Sequence, residues 1–441
     1  MKSLLIRGAE VVTPAGVEQV DVLIEGEKIS RIGNLSSFTA DETLDARNLT
    51  LMPGVIDPQV HFREPGQPWK EDLESGSRAA AAGGVTAFLD MPNNDPPITT
   101  VEKFQAKLAV AATKCHVDFG FFFGATPDNL DEILGAKEAC GIKIFMGAST
   151  GSLLVHRRED LERIFAHGRK LIAVHAEDED TIRANKAAFG DSATLMDHPR
   201  IRSVEAALKA TQLAVELSKK YRRRLHILHL TTQEEAEFLA REKTPEIIST
   251  EVCPQHFLMQ YPGDYERLGT LAQMNPPIRE ARHGEALWKA LQSGVIDCMA
   301  TDHAPHTLEE KAKPYPQSPS GMPGVETLLP AMLNRVNQGL CSLSDLARWM
   351  CEGPAKLYGM IDKGRIEVGY DADLVLIDMQ AERRIQNGHL QTRVNWSPYD
   401  GQTFKGWPVM TLVRGNFVFR NGKFSEKPQG KAIRFNPSWE T

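Results

Sequence analysis

Between residues 53 and 365 the chain alternates repeatedly between short apolar runs of strand composition and longer segments with helical spacing. The runs fall at residues 55–57, 85–89, 117–123, 142–146, 171–175, 225–230, 247–252 and 295–301. Helical segments such as 72–82, 101–113, 130–139, 203–222 and 281–292 lie between most of them. Apolar runs this short, joined by helices, belong to a parallel sheet whose strands are covered on both faces. Eight such units suggest a closed (β/α)8 TIM-type barrel. A doubly wound open sheet shows the same alternation, and counting strands does not separate the two.

The ends of the chain have a different texture. Residues 4–12 and 20–24 are rich in β-branched side chains, and Glu25-Gly26-Glu27-Lys28 is a turn signal. Residues 373–377 and 410–419 are also apolar, and Arg420-Asn421-Gly422-Lys423 is a hairpin-type turn. We expect one small β-sandwich domain built from both termini, residues 1–52 and 366–441, beside a catalytic barrel of residues 53–365. A length of 441 residues suits a large barrel with a small satellite. The segment 311–324, rich in Pro, Ser and Gly, reads as a long loop after the eighth strand, where such a loop faces a ligand.

Charge and cysteine usage exclude several classes. With 51 basic and 58 acidic residues the formal charge is −7, which argues against a nucleic-acid binder. No apolar run approaches the length of a membrane span, and the first residues are too short an apolar stretch for a signal peptide. The cysteines at 115, 140, 253, 298, 341 and 351 show no disulfide or zinc-knuckle spacing and read as free thiols of a reducing compartment. We expect a cytoplasmic homo-oligomer that acts on a small molecule.

The polar residues at the strand ends carry the chemistry. In a (β/α)8 barrel the reactive groups sit at the C-terminal ends of the strands. Here those ends carry Gln59 and His61, Asn93, Lys143, His175, His229, His256, and Asp302 with His303 and His306. Side chains alternate along a strand, so Gln59 and His61 face the same way. A lone histidine at a strand end is more often a hydrogen-bonded packing residue than a ligand. Lys143 is less ordinary: flanked by apolar residues it points into the core, where a buried ammonium tends to lose its proton. A buried carboxylate at Asp302 is equally costly without a partner. One divalent metal centre satisfies all of these groups together, and histidine with carboxylate suits zinc best. A buried ionic network without metal is the competing account, but it gives no reason for so many such groups to share one end. His116, His156, His167, His198, His226, His283 and His389 have no comparable placement.

Several motifs resemble the dihydroorotases of the amidohydrolase superfamily. They are Pro53-Gly54-Val55-Ile56-Asp57 with Val60-His61-Phe62-Arg63-Glu64-Pro65-Gly66, then Ala79-Ala80-Ala81-Ala82-Gly83-Gly84-Val85-Thr86, and Asp90-Met91-Pro92-Asn93-Asn94. Gln273-Met274-Asn275-Pro276-Pro277-Ile278-Arg279, Thr301-Asp302-His303-Ala304-Pro305-His306 and the stretch from Lys363 to Val375 continue the likeness. The resemblance implies a barrel with a urease-type β domain and one or two zinc ions. It implies His61, His175, His229 and Asp302 as metal ligands and Lys143 as a bridging carbamate. Arg63, Asn93 and His306 would bind the substrate carboxylate or ring, Asn275 would contact substrate, and Gly321 would offer backbone contacts. The implied reaction is reversible hydrolysis of dihydroorotate to N-carbamoyl-L-aspartate, a step of pyrimidine biosynthesis, with Asp302 as the proton shuttle.

The chain departs from that pattern twice. Gln59 stands where the family has the first histidine of His-x-His, and its amide oxygen is a neutral, poorer zinc ligand at the same metal position. Gln255-His256 stands where the family has two adjacent histidines. Two rivals follow. An allantoinase or hydantoinase shares Glu64-Pro65-Gly66 but has little need of Arg63. A non-catalytic subunit scaffolding aspartate transcarbamoylase tolerates Gln59 but has no need of Lys143, His175, His229 and Asp302.

Overall fold

A computed structural model describes residues 2–149 and 152–436. Eight parallel strands follow one another in sequence order around the sheet. They are Val55–Val60, Val85–Asp90, Asp118–Gly124, Gly141–Phe145, Ile172–His175, Leu225–Ile227, Ile248–Val252 and Cys298–Met299. The sheet closes on itself: Val60 and His303 form a parallel bridge, and the His61 N–H donates to the His303 carbonyl at 2.8 Å. Closure decides between the two architectures in favour of the (β/α)8 barrel. Nearly every strand residue is buried, because the inner face fills the barrel and the outer face lies under helices.

The helices start and stop where their end residues dictate. Asp72 caps Leu73–Ala82, Thr100 caps Val101–Lys114 and Ser203 caps Val204–Tyr221, each accepting from a first-turn backbone N–H. Thr232 and Glu235 form a reciprocal capping box at the start of Gln233–Glu242. The helix expected over residues 130–139 is shorter, Leu130–Gly135, and stops at a glycine.

Two barrel strands are also shorter than their apolar runs, for a reason that bears on the site. The sixth stops at Ile227 and the eighth at Met299. Just beyond them His229 and Asp302 take φ angles of 36° and 48°, incompatible with extended backbone. Non-glycine residues in that region cost about 1–3 kcal/mol each, a cost met most often where function fixes the backbone.

Both ends of the chain form the remaining β-structure. Thr50–Pro53 pairs antiparallel with Leu374–Arg384 inside a seven-stranded sheet, so the N- and C-terminal segments share one sheet. A four-stranded sheet containing Ser3–Arg7 and Asp21–Glu25 packs against it. Leu4, Ile6, Val22, Ile24, Leu51, Leu374, Leu376 and Leu412 fill the space between. The long hairpin of Leu374–Arg384 and Thr403–Val413 extends past this core to the barrel mouth, where the Trp396 indole donates to the His306 carbonyl at 2.8 Å. The chain then returns beneath the barrel, with the Ile433 N–H donating to the Phe119 carbonyl at 2.8 Å. Among the described residues no helix is long and apolar enough to cross a membrane. All six cysteines are free thiols, and five of them are buried.

A buried ionic cluster joins the sheets to the barrel. The Lys363 ammonium lies 2.8 Å from Asp118, 3.1 Å from Asp371 and 2.5 Å from Asp373, and Arg414 closes on Asp118 as well. Burial opposes the Lys363 charge, but the three carboxylates outweigh it and raise its pKa. Removing the ammonium strands buried anions, so Lys363→Ala is expected to lose on the order of 3–5 kcal/mol of stability. Urea denaturation measures it; a loss under about 1 kcal/mol would show that the cluster does not carry the junction.

Candidate active site

A small cavity opens at the C-terminal ends of the strands. Gln59, His61, Arg63, Asn93, Lys143, His175, His229, Asn275, Asp302 and Gly321 all line it. His306 does not; it lies behind Arg63, with Nε2 3.3 Å from the guanidinium. The lining also includes Phe145, Ser149, Ala304 and Ser320, which the sequence reading did not single out as site residues. Phe145 was within its reach, being two residues beyond Lys143 and so on the same strand face. The others belong to connecting loops and carry no chemical signature.

One side of the cavity is built around Asp302. Its Oδ1 accepts from Gln59 Nε2 at 3.0 Å and lies 2.9 Å from His61 Nε2. The other His61 nitrogen, Nδ1, lies 2.7 Å from Asn93 Oδ1, an oxygen that can only accept. The proton of a neutral His61 is therefore on Nδ1. Its bare Nε2 then faces a carboxylate oxygen, so this pair of acceptors needs a cation, either a proton or a metal ion. Gln59 Oε1 is buried with no protein partner. Beneath, Thr301 clamps the turn by donating to Asp57 from its hydroxyl at 2.5 Å and its backbone N–H at 3.1 Å. Burial pushes the Asp57 carboxyl up to about 7, against those hydrogen bonds.

The other side is built around two histidines. His175 Nδ1 and His229 Nε2 stand 3.1 Å apart. His175 Nε2 lies 2.8 Å from Glu177 Oε2, so it carries the proton and leaves the Nδ1 lone pair turned toward His229. Burial alone would raise the Glu177 carboxyl, but Arg202 and His175 outweigh it and hold it well below the usual carboxylate range. Burial lowers the His175 imidazole against the pull of Glu177, and burial with the neighbouring His175 and Lys143 holds His229 well below its usual range. His229 Nδ1 has no protein partner. Glu177, two residues after His175, orients that histidine and was not singled out by the sequence reading.

Lys143 lies between the two sides. Its Nζ is 4.5 Å from the centroid of the Phe145 ring. Burial pulls its pKa down to about 7, against the attraction of Asp302 and Glu251. A large share of the side chain is therefore neutral amine at pH 7.

These groups fit a divalent cation. Imidazole lone pairs, a carboxylate and a neutral amine converge on one cavity, and buried acceptors there lack any protein donor. Nitrogen-rich sets of this kind suit zinc and its neighbours. Glu177 fixes the His175 tautomer, the task a carboxylate would perform for a histidine holding a metal. A second convergence, His226 with Glu251 and Cys298, has its potential ligand atoms within 4.8 Å of one another. It does not line the cavity, and both His226 nitrogens are already partnered, by Ser249 at 2.9 Å and Glu251 at 3.0 Å.

The rim opposite Lys143 is polar. Arg63 is buried, donates from Nε to the Pro305 carbonyl at 3.2 Å, and forms no ion pair with any carboxylate among the described residues. Burial draws its guanidinium down to about 10. Asn275 Oδ1 is buried without a partner, while its amide nitrogen donates to Ser149 at 3.4 Å. Gly321 has φ 137°, and a Cβ there would meet the Ala304 carbonyl at 2.5 Å. Its N–H donates to the Gln273 carbonyl at 2.9 Å, and its own carbonyl accepts from Lys311 at 3.0 Å. Gly321 thus shapes the wall with both backbone groups already engaged. His256, whose role the sequence left open, is buried against the Pro276 carbonyl at 3.2 Å.

The model of the Amidohydrolase family matches residues 50–418. A dihydroorotase of Methanosarcina mazei is 34% identical over 449 residues, covering 98% of each chain. An allantoinase of Deinococcus radiodurans is 34% identical over 447 residues, again covering 98% of each. Among solved structures, the L-hydantoinase (dihydropyrimidinase) from Arthrobacter aurescens superposes with a TM-score of 0.94 at 32% identity, covering 98% of this chain and 100% of that one. The chain belongs to the amidohydrolase family. It is a hydrolase, built on the family's barrel.

The donor set yields a direct test. Lys143→Ala is expected to lose bound metal after expression with zinc, while circular dichroism stays unchanged. Elemental analysis of the purified variant measures it, and a full metal content would exclude Lys143 from the centre.

Proposed function

We propose that this chain is a metal-dependent dihydroorotase, hydrolysing (S)-dihydroorotate reversibly to N-carbamoyl-L-aspartate. The observation that carries the substrate is Arg63. A guanidinium buried at the mouth of a cavity without an ion-pair partner is matched by an anionic ligand, and a ring carboxylate supplies one with bidentate geometry. Asn93, also lining the cavity, is placed to hold the same end of the ring. Several relatives named dihydroorotase, the Methanosarcina mazei protein among them, support the reading.

His61, His175, His229, Lys143 and Asp302 would hold the metal, with Gln59 as a weaker neutral donor beside His61. A zinc ion bound there supplies Lewis acidity, polarising the ring amide carbonyl and lowering the pKa of water toward ~7. Asp302 takes the proton from the attacking water and delivers it to the ring nitrogen as the carbon–nitrogen bond breaks, acting as general base and then general acid. Lys143, neutral in large part, can add carbon dioxide and release a proton to become a carbamate anion. That anion would offset the charge of two cations in one small cavity.

A second reading has its own support. The allantoinase relative is as similar as the dihydroorotase, and the L-hydantoinase superposes closely. Allantoin and hydantoin lack the ring carboxylate, so this reading leaves Arg63 without a task. The experiment is turnover of dihydroorotate, allantoin and hydantoin by the parent and by Arg63→Ala. Losing a charge-assisted pair costs on the order of 2–5 kcal/mol, so kcat/KM for dihydroorotate should fall at least about thirtyfold with metal content unchanged. Parent-level turnover of dihydroorotate by the variant, or a parent active only on allantoin or hydantoin, would overturn the reading.

A further inference from the structure

Behind Arg63 lies a second buried cation that the reaction as described does not use. Lys70 is 5% exposed, and its Nζ stands 3.1 Å from His306 Nδ1 and 3.1 Å from Glu310 Oε1. Burial pulls the Lys70 amine below its ordinary value, while Glu310 at salt-bridge distance acts to keep it an ammonium. An ammonium has three donors and no acceptor. His306 Nδ1 is therefore the accepting nitrogen, and the ring proton is on Nε2.

His306 Nε2–H is then what the imidazole turns toward Arg63. Nε2 has two neighbours, the Ser320 carbonyl at 3.1 Å and the Arg63 guanidinium at 3.3 Å. Only the carbonyl can accept, because the guanidinium is itself a donor. His306 so held gives Arg63 no lone pair to bond with. Burial first, then the surrounding Arg63, Lys70 and Lys311, hold the imidazole well below its usual range, so it stays neutral. With Nε–H engaged by the Pro305 carbonyl, the hydrogens on the terminal guanidinium nitrogens are left for whatever enters the cavity.

We propose that Lys70 is a specificity-determining positioning residue. By fixing His306 in the Nε2–H form it makes the Arg63 end of the cavity a donor-only pocket, which accepts a carboxylate-bearing ring and rejects ligands that need an acceptor there. With His306 turned the other way, its lone pair would satisfy Arg63 internally and weaken the demand for an anion. The substrate half of this inference rests on the carboxylate reading proposed above; the tautomer half does not.

The experiment uses the zinc-loaded protein, with Lys70→Met and Lys70→Arg. Nitrogen-15 spectra of the histidine rings report the His306 tautomer. Steady-state kinetics compare dihydroorotate with dihydrouracil, the same ring without its carboxylate, followed as substrate or as competitive inhibitor. The parent should show a proton on His306 Nε2, and Lys70→Met should lose that preference. KM for dihydroorotate should rise on the order of tenfold in Lys70→Met with kcat changed far less, the dihydrouracil constant should not move, and Lys70→Arg should restore both. A parent His306 with its proton on Nδ1 would overturn the proposal, and it needs no variant to fold. So would a Lys70→Met protein whose dihydroorotate KM stays at the parent value, or whose two constants rise together. A parent that hydrolyses dihydrouracil but not dihydroorotate would instead overturn the carboxylate reading, and the parent spectrum would still decide the tautomer.

Discussion

Lone pairs without donors are the constraint around which this barrel is arranged. His61 Nε2 faces Asp302 Oδ1 at 2.9 Å, and His229 Nδ1 and Gln59 Oε1 have no protein partner. Buried acceptors in such numbers are costly unless a cation joins them. The cost extends to the backbone, since His229 and Asp302 reach their places only through left-handed φ angles. The fold thus carries backbone strain and unpartnered acceptors together at the strand ends that line the cavity.

The surrounding structure holds that arrangement in place from several directions. Asp57 fixes Thr301, and hence the turn that carries Asp302. Arg202 and Glu177 orient His175. Glu71, directly after Lys70, reaches Arg393 in the terminal hairpin through its backbone N–H at 3.1 Å and bonds Thr392 as well. The terminal sheets thus contribute to the rim as well as to the far end, where Lys363 couples Asp371 and Asp373 to Asp118 at the start of the third strand. A barrel supported at both ends can carry a strained mouth, because displacing one side chain would require moving several elements at once.

Much of this was legible in the residues, and the parts that were not share a physical cause. Alternation of apolar runs and helices gave the barrel, but only the Val60–His303 closure, a contact distant in sequence, excluded an open sheet. Polar residues ending apolar strands marked seven of the cavity residues, because a charge or imidazole in such a place needs a reason, and the family resemblance added Arg63, Asn275 and Gly321. His306 carried the same signal yet stands one layer back, since strand-end position does not say how far a loop carries a side chain. Glu177 and Lys70 were overlooked because their partners, Arg202 and Glu310, come from other segments. Residues 225–230 and 295–301 read as full strands because hydrophobicity does not report φ. The backbone turns there to aim a polar side chain, and composition registers nothing of it.

Zinc titration of metal-free protein, with dihydroorotate hydrolysis followed at each addition, tests the central claim most directly. The account predicts no turnover before zinc is added, and a rise that saturates once the cavity donors are filled. Weaker binding by the Gln59–His61–Asp302 side than by the His175–His229 side should show as two phases of uptake. Turnover by the metal-free protein, or stoichiometric zinc uptake with no turnover of dihydroorotate at any occupancy, would contradict it.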